Sequence, residues 1–366
     1  MKNIIGYMKE YGKYTLEEVP FNEVDSVILC QIGYLNYAEF VPKLEDAKAS
    51  VLLKSITESE NYQNLFDGYW YRKDNIELID AMVNSERFGT IRLNKFKSIN
   101  NERTDAQFGA LTYILPDKSV YVCFRGTDIS VLGWKEDLKL AYSRPVRSQE
   151  LAIEYINAVA DTFAGSFRVG GHSKGGNLAI YATLNARKDV AERVSIIFDH
   201  DGPGFRPEIV SPSEYDRVRP LIKKIIPKMS IVGILLETQL DYDVIASSGA
   251  GPAQHNTYNW KVKGNAFQRY KKPATGLKKD NTINDWILSL SEEEVDIFID
   301  TVYKLLTVND SSSLFDLIDN PMENASSAYG LIKDIPEKDR KALLGIGKRL
   351  ISIYGRKTIK KFSFLK

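Results

Sequence analysis

The segment VGGHSKGGNLAIYAT, Val169 to Thr183, constrains the chain more than any other. It sets Ser173 between Gly171 and Gly175 in a G-x-S-x-G pattern. Such a pattern ends a strand, turns sharply and starts a helix, leaving the serine exposed in a strained conformation. Side chains two positions before and after the serine would collide with neighbouring backbone, so glycine suits both places. Five residues alone are a weak signal, and the flanks decide. SFRVGG before the serine has strand character, and GGNLAIYATLNARKD after it is helical.

The alternation continues on both sides. SQELAIEYINAVADTFA (148–164) is an amphipathic helix with Ala152, Tyr155, Ile156, Val159 and Phe163 on one stripe. RVSIIFDHDGPGF is a strand entering a glycine-rich loop. PSEYDRVRPLIKKIIP starts as a helix capped by Ser211 or Ser213 and ends or kinks near Pro220. MSIVGILLE reads as the next strand. Further upstream, FGALTYIL and SVYVCFRG flank the turn PDK and predict a hairpin. DAKASVLLKSITES and NIELIDAMVNSERFG have helical spacing, whereas residues 21–40 give no clear pattern. Helix and strand in this order imply an α/β fold with a mostly parallel, doubly wound sheet. We expect one α/β domain over residues 1–275, its first 20 or so residues peripheral, and a helical C-terminal extension over 276–366 that packs on it.

A serine hydroxyl needs a base, usually histidine, and the chain has three histidines. His172 adjoins the serine in sequence, should point away from it, and is assigned to packing. His200 ends the next strand-like run and stays a candidate. His255, in the long loop SSGAGPAQHNTYNW, fits the order serine, acid, histidine and is preferred as the base. The acid that orients it should end a strand between the two. Glu237, ending SIVGILLE, and Asp201, ending SIIFDHD, both qualify. Oxyanion donors are expected from the N–H of Lys174 and from the loop after FRG, where Gly126 permits close approach and Thr127 offers an N–H and a hydroxyl.

Two of these segments together resemble class-3 lipases, which are α/β hydrolases. FRGTDISVLGWKEDL resembles their F-R-G-[ST] segment, and GHSKGGNLA their elbow. GHSKGGNLAIYA, DGPGF, SIVGILLE and the histidine loop resemble more closely the Mbeg-like group of bacterial proteins. The resemblance covers about residues 20–275. It implies a serine hydrolase with Ser173 as nucleophile, His255 as base and Thr127 with Lys174 as oxyanion donors. It also implies a lid in DISVLGWKEDL anchored by Trp134. The chain departs from the lipases in two places. The region resembling their acid-bearing strand lacks its aspartate, which sets Glu237 and Asp201 level. Lys174 replaces the usual leucine after the serine.

Composition fits a water-soluble globular chain, 43% hydrophobic and 27% charged. No apolar run reaches the roughly 20 residues of a membrane-spanning helix. The charged opening shows no secretory pattern, and Cys30 and Cys123 sit in apolar, strand-like runs that suit buried free thiols. A cytoplasmic location is the expectation. No metal-ligand spacing appears, the phosphate-loop order G-x-x-x-x-G-K-[ST] is absent, and the body carries no basic-aromatic signature of nucleic-acid binding. No cofactor is expected.

Residues 340–366 carry nine Lys or Arg and no acid, whereas the rest holds 40 basic against 48 acidic residues. Leu343, Ile346, Leu350, Ile353 and Tyr354 form one helical face of this tail, with Lys341, Lys348, Arg349 and Arg356 opposite. Such a helix packs its stripe on the body, the preferred reading, or makes peripheral contact with an anionic membrane. The expected function is hydrolysis of a carboxylic ester, an acyl lipid or a related small molecule. A thioesterase or amidase using the same residues is the alternative, as is a non-catalytic binding protein on the same fold.

Overall fold

The fold comes from a computed structural model. It describes residues 2–127 and 145–270, apart from 47–48, 70, 102–105, 207, 229, 231, 238–240 and 250. Beyond 270 it describes chiefly 282–291, 293–298 and 336–346. The segment read as a lid, and most of the basic tail, lie outside the described residues. The chain divides into two units, one of residues 1–128 and 145–274, the other of 129–144 and 275–366.

The first unit is built on an eight-stranded sheet whose strands follow one another in chain order. They are β1 (Val51–Leu52), β2 (Arg92–Asn101), β3 (Ala106–Ile114), β4 (Val120–Phe124), β5 (Phe167–His172), β6 (Val194–His200), β7 (Ile222–Pro227) and β8 (Asp243–Ile245). β1 to β4 pair antiparallel, with β3 and β4 forming the hairpin read from PDK. From β4 to β8 every pairing is parallel. The chain is thus α/β with a mostly parallel sheet.

The winding differs from the doubly wound expectation. Because the strand order is sequential, right-handed crossovers bring successive helices to the same face. Helices Arg147–Thr162, Lys174–Asn185 and Pro212–Val218 all bury side chains in one core, which includes Tyr155, Leu178 and Tyr215. The other face is covered from the N-terminus. Helices Ile4–Tyr11, Glu23–Ile32 and Arg72–Val83 bury Ile4, Tyr7, Ile28 and Leu78 in a second core. Within the stretch expected to be peripheral, Ile4, Ile5, Tyr7 and Met8 are therefore core.

The helix Glu23–Ile32 corrects the reading of SVILCQI as strand-like. Asn22 and Asp25 form a reciprocal capping box, and every residue from Val24 to Ile32 is buried. A helix covered on all sides has no polar stripe, so its apolar run looks like a strand. Asp25 is sealed with Arg87, whose Nε and Nη2 lie 2.7 and 2.5 Å from its two oxygens. That pair fixes the helix that ends beside Tyr34.

The described residues of MSIVGILLE do not form a strand either. The strand is IKKIIP, β7, and residues 232–236 form turns, with Leu236 at φ 56°. The lysines hid the strand, because Lys224 points inward and is buried between acids.

In the second unit, the helix Thr282–Leu288 carries Trp286, whose ring meets Phe298 edge-on and whose Nε1 donates to the Ile346 carbonyl at 3.1 Å.

Candidate active site

Parallel pairing lines up the carboxyl ends of three strands. Phe124 of β4 pairs with Gly171 of β5, and His172 of β5 pairs with His200 of β6. The residues that follow, Arg125 to Thr127, Ser173 and Asp201, therefore leave the sheet side by side, strands being about 4.8 Å apart.

Ser173 sits at φ 59°, ψ −134° between β5 and the helix Lys174–Asn185. This is a region that side-chain-bearing residues rarely enter. The flanking glycines are obligatory. A Cβ on Gly171 would overlap the backbone of Gly175, and one on Gly175 would overlap the Phe124 carbonyl. Ser173 N–H donates to the His200 carbonyl at 3.0 Å, and its own carbonyl accepts from Gly176 N–H at 2.9 Å. The FRGT loop lies against the turn. A Cβ on Gly126 would stand 3.0 Å from Ser173 Cβ and overlap the Tyr34 hydroxyl. Thr127 follows it, half-buried. Lys174 is buried, with its ammonium donating to the Gln107 carbonyl on β3 at 2.9 Å, so its charge is directed to the sheet.

His255 ends a short 3-10 turn, Gly251–His255, after β8. Its Nδ1 lies 2.7 Å from Asp201 Oδ2. The carboxylate accepts, so Nδ1 carries the proton and Nε2 keeps its lone pair. Asp201 is fully buried at φ 59°, and its N–H donates to the Ile225 carbonyl at 2.9 Å. The histidine loop is fastened to the N-terminal layer and to itself. Thr257 Oγ1 donates to Gln31 at 2.6 Å, Tyr258 hydroxyl to Asn75 at 2.7 Å, and Trp260 Nε1 to the Gln254 carbonyl at 2.8 Å.

The other candidates stand elsewhere. Glu237 pairs with Lys224 at 2.9 Å; Lys224 also reaches Asp199 at 2.7 Å and the Gly202 carbonyl at 2.6 Å. The rank of Glu237 rested on SIVGILLE being a strand, and residues 232–236 of that run form turns. Burial, with Glu237 nearby, raises the Asp199 carboxyl to about 6 against the pull of Lys224. Burial alone would lower Lys224, but Asp199 and Glu237 outweigh it and hold it above the ordinary lysine value. His200 is sealed on the far face, 2.7 Å from Ser26 Oγ, and burial lowers its pKa to about 3.

His172 is more than packing. Its Nε2 is 3.0 Å from the His255 carbonyl, its Nδ1 is 3.0 Å from the Tyr34 hydroxyl, and its ring centre is 4.4 Å from that of His255. Sequence reading missed Tyr34, 138 residues from its partner, and no local pattern marks it. Among the described residues, no group of three or more His, Cys, Asp or Glu is arranged to hold a metal.

The carboxyl edge of the sheet thus carries a strained serine turn after β5 and, after the neighbouring β6, a buried carboxylate paired to a histidine. A family model described as Mbeg1-like matches residues 82–304, more than half the chain, and the chain belongs to that family. Among solved structures, a native Rhizomucor miehei lipase propeptide complex is 17% identical, with a TM-score of 0.35, covering 54% of this chain and 70% of that one. A deletion mutant of the same complex is likewise 17% identical with a TM-score of 0.35, covering 54% and 69%. Among curated proteins none matches the chain.

Proposed function

We propose that this chain is a serine hydrolase of the α/β-hydrolase type that cleaves carboxylic esters, an acyl lipid or a related small molecule. The observation that carries the reading is the Asp201–His255 hydrogen bond beside a serine held at φ 59°. Ser173 Oγ attacks the ester carbonyl while His255 Nε2 takes its proton. Asp201 keeps the imidazole in the productive tautomer and stabilises the imidazolium. The N–H of Lys174 and the Thr127 N–H and hydroxyl hold the tetrahedral oxyanion. Collapse passes the proton to the leaving alcohol and leaves an acyl-serine, which water cleaves by the same route.

Elbow glycines, a sealed acid and a tethered histidine together favour catalysis over a binding scaffold, because a scaffold has no need of backbone strain at one serine. The test is labelling of purified protein by a fluorophosphonate probe, beside Ser173→Ala and His255→Ala. Labelling of the wild type that both substitutions abolish supports the reading, and esters of increasing acyl length then define the substrate. A folded wild type that stays unlabelled, with detergent or lipid present, overturns it.

A further inference from the structure

We infer that His172 is a positioning residue for His255, its ring hydrogen-bonded by Tyr34 on one side and grasping the backbone carbonyl of His255 on the other. This rests on the hydrolase reading, in which His255 is the base.

The hydrogen-bond directions follow from the atoms. The His255 carbonyl can only accept, so His172 Nε2, 3.0 Å away, carries the proton. In a neutral ring Nδ1 is then an acceptor, and the Tyr34 hydroxyl at 3.0 Å donates to it. The ring is neutral: burial, then His255 and His200 nearby, holds His172 well below the ordinary histidine value. A proton shift to Nδ1 would aim the Nε2 lone pair at the His255 carbonyl and turn attraction into repulsion. The accept-only His255 carbonyl therefore sets the tautomer, and the Tyr34 hydroxyl, which also lies 3.4 Å from the His172 carbonyl, holds the ring in place.

The consequence for His255 is geometric. Its imidazole is held at Nδ1 by Asp201 and its backbone by His172, which precedes the nucleophile. The nucleophile and the base loop are thus linked through one ring, whose centre is 4.4 Å from that of His255 at a tilt of 32°. Neutrality matters as well. When His255 takes the serine proton, a charged ring at that distance would oppose it, whereas a neutral one does not. Trp260, buried, meets the His172 ring edge-on at 5.7 Å.

The experiment uses the full chain, and its three histidines make the spectrum simple to assign by variant. Nitrogen-15 NMR of the wild type should show His172 as the Nε2–H tautomer and a downfield Nδ1 proton on His255 that Asp201→Asn removes. In Tyr34→Phe and His172→Leu that His255 signal should broaden or exchange faster. The fluorophosphonate labelling rate should fall about 10- to 100-fold, the scale of a roughly 1 Å misplacement of a catalytic group. His172→Gln keeps an amide donor and should recover part of the rate. With an ester, kcat should fall much more than KM changes.

A wild-type His172 found in the Nδ1–H tautomer overturns the inference. So does a folded Tyr34→Phe whose His255 signal and labelling rate match the wild type, a variant that loses one oxygen and stays informative if His172→Leu fails to fold. The NMR signals are read without turnover. An unlabelled wild type with the expected signals therefore defeats the hydrolase reading and leaves the clamp standing.

Discussion

Asp201 Oδ2 and His255 Nδ1 stand 2.7 Å apart, joining a fully buried carboxylate to an imidazole whose side chain is 25% exposed. Asparagine in place of Asp201 keeps the shape but loses the negative charge that stabilises the imidazolium, and with its N–H toward Nδ1 the histidine reverses its tautomer and Nε2 no longer accepts. Asp201→Asn should cut the labelling rate by about 10⁴-fold with the fold intact by circular dichroism. Glu237→Gln, whose carboxylate pairs with Lys224 and not with His255, should leave the rate within a few-fold of wild type. The reverse ranking in a labelling time course would return the acid's role to Glu237.

The strain at Ser173 should be measurable as stability. At φ 59°, ψ −134° a Cβ is unfavourable, and glycine lacks it. Ser173→Gly should be more stable than Ser173→Ala by about 1 kcal/mol, the relief of strain being partly offset by glycine's greater unfolded-state entropy. Urea unfolding of the two variants checks this. Equal midpoints would show that the turn is unstrained. Neither variant should label.

Gly233 supports the acid from behind. A Cβ there would overlap Asp201 Oδ1 and stand 3.0 Å from Ile226 Cγ1. Gly233→Ala should push the carboxylate off its line to His255 and slow labelling by roughly 10- to 100-fold. The effect should vanish in the Asp201→Asn background, because the two changes act on one contact. Additive losses, measured in a double-mutant cycle of labelling rates, would separate Gly233 from the acid.

The serine turn was legible because its constraint is local: five residues carry the steric requirement, and the flanks carry the periods of strand and helix. The β3–β4 hairpin was legible for the same reason, its turn residues lying between two runs of strand-forming residues. The carboxylate that pairs with His255 was legible only as one of two candidates, because the ranking hung on which apolar run was the strand. SIVGILLE is the more apolar, but IKKIIP pairs with β6, its inward Lys224 neutralised by Asp199 and Glu237. Patterns treat lysine as an exposed residue, and here charge pairing overrides them. The Tyr34–His172 contact escaped for a different reason. Nothing near Tyr34 in sequence sets it apart from the chain's other tyrosines until the sheet brings β5 beneath it.

The Lys224 cluster predicts both a stability loss and a pH dependence. Lys224→Met would leave two buried carboxylates facing each other and the Gly202 carbonyl without its donor. The expected cost is about 3–5 kcal/mol, read from urea unfolding near neutral pH. The Asp199 carboxyl lies at about 6 in the fold, above its ordinary 3.8. A folded value raised in this way means that the native state holds the proton more tightly than the unfolded chain. The stability it contributes is complete below pH 3.8, declines as pH rises, and is lost beyond about 6. Glu237→Gln removes the neighbouring negative charge, lowers the Asp199 value and should flatten that decline. Unfolding free energies of wild type and Glu237→Gln across this range give the comparison, the titrating groups common to both proteins cancelling in the difference. Parallel curves would mean that Glu237 does not govern the Asp199 proton.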